Sequence, residues 1–60
     1  MDVYIYGITG HKEVRMPLDD LEIDELEVGQ QFIYRDLVYE IRSLAEVEKG
    51  LLLNVVQSVV

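Results

Sequence analysis

The residues that could do chemistry in this 60-residue chain are concentrated in one acidic stretch, residues 19–27. Six of the twelve Asp and Glu residues fall there: Asp19, Asp20, Glu22, Asp24, Glu25 and Glu27. Carboxylates at this density suit three uses: coordinating calcium, docking onto a basic protein, or keeping the chain soluble as a solvated acidic face.

The calcium interpretation depends on the spacing of Asp20, Glu22 and Asp24, which matches the first three ligands of an EF-hand loop. Such a loop also needs Gly at its sixth position and Glu at its twelfth, where this chain has Glu25 and Gln31. No pair of helical patterns flanks the stretch. We therefore expect no specific metal site.

The docking interpretation follows from the net charge of −7. A field of this sign repels phosphate, so we expect no direct binding to nucleic acid and no membrane binding. A ridge of carboxylates can instead imitate a nucleic-acid backbone and occupy the basic cleft of a protein that handles nucleic acid. The same charge also serves solubility, and the sequence leaves both uses open.

The other groups that could take part in catalysis are isolated. His11 is the single histidine and stands beside Lys12 in a predicted turn, where a solvated side chain is expected. Neither Ser43 nor Ser58 has the glycine-flanked context of a nucleophile elbow. Residues 7–13 lack the glycine spacing of a phosphate-binding loop. We expect no catalytic residues, no cofactor and no enzyme activity.

Composition predicts one small domain. Half of the residues are hydrophobic, so the chain can build a core, but without cysteine no disulfide can support it. The sequence has neither an apolar run of about 20 residues, which a bilayer requires, nor a signal-peptide pattern. These features predict a soluble, cytoplasmic protein.

Five runs rich in β-branched, aromatic or alternating apolar residues predict strands: 3–8, 13–16, 31–35, 37–44 and 51–60. Turn signals separate them near 9–11, 36 and 48–50. Short, regularly spaced strands predict a mainly β fold, a small antiparallel five-stranded barrel or curled sheet. Pro17 lacks an N–H and should end the second strand or lie on an edge.

The segment between the second and third strands has no clean period, because its apolar residues are spaced by two, three and two: Leu21, Ile23, Leu26 and Val28. Asp19 and Glu22 have the form of a capping box, which predicts one short helical turn near 20–26. An irregular extended segment with a bulge near Asp24 is the alternative.

One hairpin has a pattern of its own. Residues 28–41 read Val-Gly-Gln-x-Phe-x-Tyr, a turn, then x-Tyr-x-Ile. This pattern resembles the hairpins of SH3-like barrels and covers about a quarter of the chain. The resemblance concerns an architecture, and it implies no family and no activity.

The first and last strands are apolar on both faces, although a small barrel has one interior. The second face is predicted to be an apolar interface made of Tyr4, Tyr6, Ile8, Leu52, Val56 and Val60. Soluble monomers rarely leave such a patch bare. The segment 19–26 could fold over it with Leu21 and Leu26, a second copy could cover it, or another protein could do so. The small core favours self-association as a dimer or ring.

These observations together predict a non-enzymatic acidic binding protein. It would be a regulator or inhibitor that docks onto a larger, basic protein that handles nucleic acid, and it would act as a homo-oligomer. The alternative is a structural subunit of a larger assembly, of the kind that phages and mobile elements encode. An enzyme with a site between subunits is the third possibility.

Overall fold

The computed structural model describes residues 1–23 and 25–58. This part of the chain forms five strands: β1 (Asp2–Thr9), β2 (Lys12–Pro17), β3 (Gln31–Tyr34), β4 (Leu37–Val47) and β5 (Gly50–Gln57). A single 3-10 turn, Leu18–Asp20, follows β2. In this part of the chain no helix has the length and apolar character needed to cross a membrane.

The strands form one sheet in the order β2-β1-β5-β4-β3, which curls into a half-barrel. The mainly β fold with a curled five-stranded sheet is therefore confirmed. The sheet is mixed rather than wholly antiparallel, because β1 and β5 pair in parallel. Segment 18–30 starts and ends at the same end of the sheet, so β3 runs opposite to β2. Two further hairpins then bring β5 back parallel to β1.

The predicted turns are confirmed at all three places. Gly10, at φ 64°, lies in the turn between β1 and β2. Arg35 and Asp36 have φ values of 51° and 67°, the pair of positive values that a two-residue hairpin turn requires. A third turn joins β4 to β5 at positions 48–49. Pro17 ends β2, which is an edge strand.

The core lies on the inner, concave face of the half-barrel. Its buried residues come from every strand except β2: Val3, Ile5, Phe32, Tyr39, Ile41, Leu53 and Val55. Their period of two along each strand places them on one face. The rings of Phe32 and Tyr39 stack with their centroids 5.9 Å apart.

The predicted helical turn is present, but it lies at Leu18–Asp20, immediately after Pro17. The chain is extended again at Leu21, at φ −88° and ψ 112°. The spacing of two between Leu21 and Ile23 suits an extended chain, which explains why the turn is so short. The alternative bulge near Asp24 lies outside the described residues.

Segment 18–30 crosses from one edge of the sheet to the other over the inner face. Leu21 is buried in the core, and Ile23 and Leu26 pack against it. At the far end, the Gly29 N–H donates to the Ile41 carbonyl at 2.8 Å, and the Ile41 N–H donates to the Gln30 carbonyl at 3.0 Å. The alternative in which Leu21 and Leu26 cover the second apolar face is therefore wrong, because these residues cover the inner one.

A bulge interrupts β1 after Ile5, where its register with β2 shifts. Gly7 lies in this bulge at φ 109°, and a Cβ there would overlap the Val55 carbonyl oxygen. Beyond the bulge, Ile8 packs against the core cluster. The placement of Ile8 on the second apolar face is therefore corrected, because the bulge changes the alternation on which that prediction depended.

Candidate interaction surfaces

The first candidate surface is the outer, convex face of the two central strands. In the parallel register Tyr4 is paired with Leu52, and Tyr6 with Asn54. These residues alternate with the buried Val3, Ile5 and Leu53, so they face outward. Val56 also faces outward and is 44% exposed. Val60, the last residue predicted for this surface, lies outside the described residues.

Tyr4 is only 8% exposed although it lies on the outer face. The ammonium nitrogen of Lys49 is 4.1 Å from the centroid of its ring, and the guanidinium carbon of Arg15 is 5.8 Å from it. A cation over a ring face is attracted by the ring quadrupole. The protein thus covers Tyr4 with its own basic side chains, and Tyr4 contributes little free surface to a partner.

Among the residues that the structure describes, three ion pairs lie on this outer face. Their members are Arg15 with Asp2 at 2.7 Å, Lys49 with Glu13 at 3.5 Å, and Arg42 with Glu40 at 4.0 Å. The hydrogen bond from Arg15 to Asp2 is the main reason that the pKa of the Arg15 guanidinium is raised above its ordinary value.

The members of these pairs cancel in charge. Three of the five basic residues of the chain form ion pairs with three carboxylates on the outer face. The whole net charge of −7 therefore lies on other residues. The outer face is electrostatically neutral while the rest of the molecule is strongly acidic.

An apolar strip lies among these paired charges, and we name it the outer strip. Its members are Tyr6, Ile33, Val38, Ala45, Leu52 and Val56. Ile33 is 61% exposed and was missed by the sequence analysis. The signal that could have found it is the alternation in β3, where Phe32 and Tyr34 turn to the core and Ile33 faces away from it.

The second candidate surface is the acidic stretch on the opposite side of the sheet. Its described members are all exposed: Asp19, Asp20, Glu22, Glu25 and Glu27. Asp24 lies outside the described residues. Between these acids, Leu21, Ile23 and Leu26 point into the core and fix the segment on the sheet. None of the ion pairs within residues 1–23 and 25–58 includes a member of the stretch.

The described residues bring together neither a metal cluster nor a pocket. No three His, Asp or Glu side chains among them gather as metal ligands, and no cavity opens between them. His11 is exposed in the first turn. Ser43 accepts a hydrogen bond from Asn54 at 2.9 Å, and Ser58 accepts one from Gln31 at 3.4 Å.

Comparison with known proteins adds no assignment. Neither a protein-family model, nor a curated protein, nor a solved structure matches this chain. The functional interpretation therefore rests on the two surfaces, one neutral and partly apolar, the other acidic.

Proposed function

We propose that this protein is a non-enzymatic binding protein. Its acidic stretch docks onto a larger protein with a basic surface, of the kind that handles nucleic acid, and thereby regulates or inhibits it. The observation that carries the proposal is the segregation of charge. The described carboxylates of the stretch are exposed and lie in no described ion pair, while three of the five basic residues are paired on the opposite face.

A one-signed patch steers a basic partner and raises the association rate, and this effect weakens as salt rises. A preorganised surface also loses less conformational entropy on binding than a disordered tail does. Here Leu21 is buried and the Gly29 N–H is hydrogen-bonded to β4, so the described carboxylates between these residues lie on a segment that is attached to the sheet at both points.

A capture experiment with matched charge variants tests this function. The tested variant changes Glu22, Glu25 and Glu27 to Gln, and the control changes Asp36 to Asn and both Glu46 and Glu48 to Gln. Both variants lose three carboxylates, but only the first loses them from the stretch. The wild type and both variants are immobilised, exposed to a lysate of the organism that encodes the protein, and washed at rising salt.

We expect a nucleic-acid-binding protein that the wild type and the control retain and the tested variant loses. Added duplex DNA should release it, because the carboxylates and the DNA backbone occupy the same basic cleft. If all three proteins retain the same partners equally, the acidic stretch serves solubility and the proposed function is wrong.

A further inference from the structure

We infer that the outer face of the half-barrel pairs with the same face of a second copy, forming a twofold-symmetric dimer. Three features of this face favour a second copy as the partner that covers it: its charge balance, its size and its apolar strip. In a twofold-symmetric dimer the same patch of each copy contacts its counterpart, so that patch must be complementary to itself.

The charge balance selects a second copy as the occupant. Two chains of net charge −7 repel one another through most of their surfaces. On the outer face, the charges of Arg15, Lys49 and Arg42 are balanced by three carboxylates, so two such faces meet without net repulsion. A basic partner, in contrast, is drawn to the acidic side of the molecule and gains nothing from a neutral face.

The size of the face meets the need of a stable dimer. The two longest dimensions of the molecule are 34 and 25 Å, and they bound the extent of the outer face. A standard protein interface buries about 800 Å² on each partner, which a face of these dimensions can supply. The curled sheet presents its convex side continuously, since segment 18–30 lies on the other side.

The outer strip supplies the apolar surface that such an interface needs. Val56 is 44% exposed and Ile33 is 61% exposed, so both lose water contact when the face is covered. Paired polar groups lie beside and within the strip: Arg15 and Lys49 border it at Tyr4, and Glu40 is the cross-strand neighbour of Val56 and separates it from Ile33 and Val38. A protein interface taken as a whole is only about as apolar as the rest of the surface, so this mixture of apolar and paired polar groups suits one.

The dimer leaves the acidic stretches free. They lie on the inner side of each sheet, so face-to-face pairing of the outer sides directs both stretches away from the interface. The dimer is then a bivalent ligand for a basic partner with two sites, which raises its apparent affinity. The bivalency rests on the proposed function, whereas the dimer itself does not.

Light scattering coupled to size exclusion tests the dimer with two matched variants. The tested variant is Val56→Lys, and the control is Val28→Lys, which adds the same charge at a site that is 62% exposed and off the face. Val56 is paired with Glu40 across β4 and β5, so the new lysine gains a carboxylate neighbour and the fold should hold. Ile33→Lys is a second interface variant, and circular dichroism confirms folding of each.

We expect twice the 7.0 kDa chain mass for the wild type and for Val28→Lys at low and high salt. Both interface variants should dimerise at least about tenfold more weakly, because a charged side chain that is hydrated in the monomer loses its water between the copies. The triple variant of the acidic stretch should remain a dimer, which separates this test from that of the proposed function. A monomeric wild type at near-millimolar concentration, a larger particle, or a dimer that both interface variants preserve would overturn the inference.

Discussion

The ammonium nitrogen of Lys49 lies 4.1 Å from the centre of the Tyr4 ring, on the outer face of the sheet. Lys49 also reaches Glu13 on β2 at 3.5 Å, so it joins the β4–β5 turn to the edge strand across the ring. This contact explains why a tyrosine on the convex side is nearly buried in a single chain. Tyr4 therefore belongs to the framework of the outer face, while Tyr6, Leu52 and Val56 supply its free apolar surface.

Because of the contact between Lys49 and Tyr4, the variant Lys49→Met should be measurably less stable than the wild type. Methionine keeps most of the apolar stem but removes the cation, and with it the contact with Tyr4 and the exposed ion pair with Glu13, which contributes little. We expect the free energy of unfolding to fall by about 0.5–1 kcal/mol, the usual worth of an exposed cation–π contact. Urea denaturation measures it, with Lys12→Met as the control because Lys12 is an exposed cation in none of the described contacts. Equal stability of the two variants would contradict the contact.

Replacing Gly50 should lower the stability of the protein by more than the loss of the Lys49 contact does. Its φ is 151°, and a Cβ there would overlap the Asp2 carbonyl oxygen and lie 3.3 Å from the Tyr4 ring. Gly50→Ala should cost about 2–4 kcal/mol, because overpacking of β1 adds to backbone strain. Gly10→Ala is the control, since Gly10 also has a positive φ but a Cβ there meets open space. Its cost should be about 1 kcal/mol in the same denaturation experiment. A Gly50 variant as stable as the Gly10 variant would show that β1 and β5 are not so closely packed.

Replacing Leu21 tests whether segment 18–30 completes the core. Leu21→Ala should lower the free energy of unfolding by about 2–5 kcal/mol, because it leaves a cavity under the segment. Val28→Ala, on the same segment but 62% exposed, should change it by less than about 0.5 kcal/mol. Thermal melts followed by circular dichroism compare the two. A Leu21 variant that melts with the wild type would mean that the segment does not pack on the inner face.

The acidic stretch predicts how stability depends on salt. Its carboxylates repel one another at low ionic strength, and salt screens them with a Debye length of about 10 Å at 0.1 M. The melting temperature of the wild type should therefore rise with salt. It should rise less in the variant that changes Glu22, Glu25 and Glu27 to Gln than in the control at Asp36, Glu46 and Glu48. An equal rise in both variants would show that the stretch is not a locus of repulsion.

Much of the fold could be predicted from local signals. The glycine turn at Gly10, the edge position of Pro17 and the alternation around Ile41 act over a few residues, so β1, β2 and β4 follow from the sequence. The single apolar face predicted from the first and last strands requires them to be neighbours, and β1 and β5 are neighbours in the sheet.

The errors in the prediction come from longer-range geometry. The parallel pairing of β1 with β5 depends on where segment 18–30 begins and ends on the sheet, which no local pattern states. The inward side of Leu21 depends on the same path. The orientation of Ile8 depends on a bulge at Gly7, where the close approach of the Val55 backbone cannot be read from the residues of β1.

We propose that the two sides of the sheet have different roles: the outer face pairs copies of the protein, and the acidic side is left free. Nuclear magnetic resonance of the ¹⁵N-labelled wild type tests it most directly, by following each backbone amide as the protein is diluted from near-millimolar to low micromolar concentration. We expect shifts at Tyr6, Ala45, Leu52 and Val56, and none at Glu22, Glu25 or Glu27. Shifts confined to the acidic stretch, or none at any concentration while light scattering gives the monomer mass at the lowest one, would contradict the account.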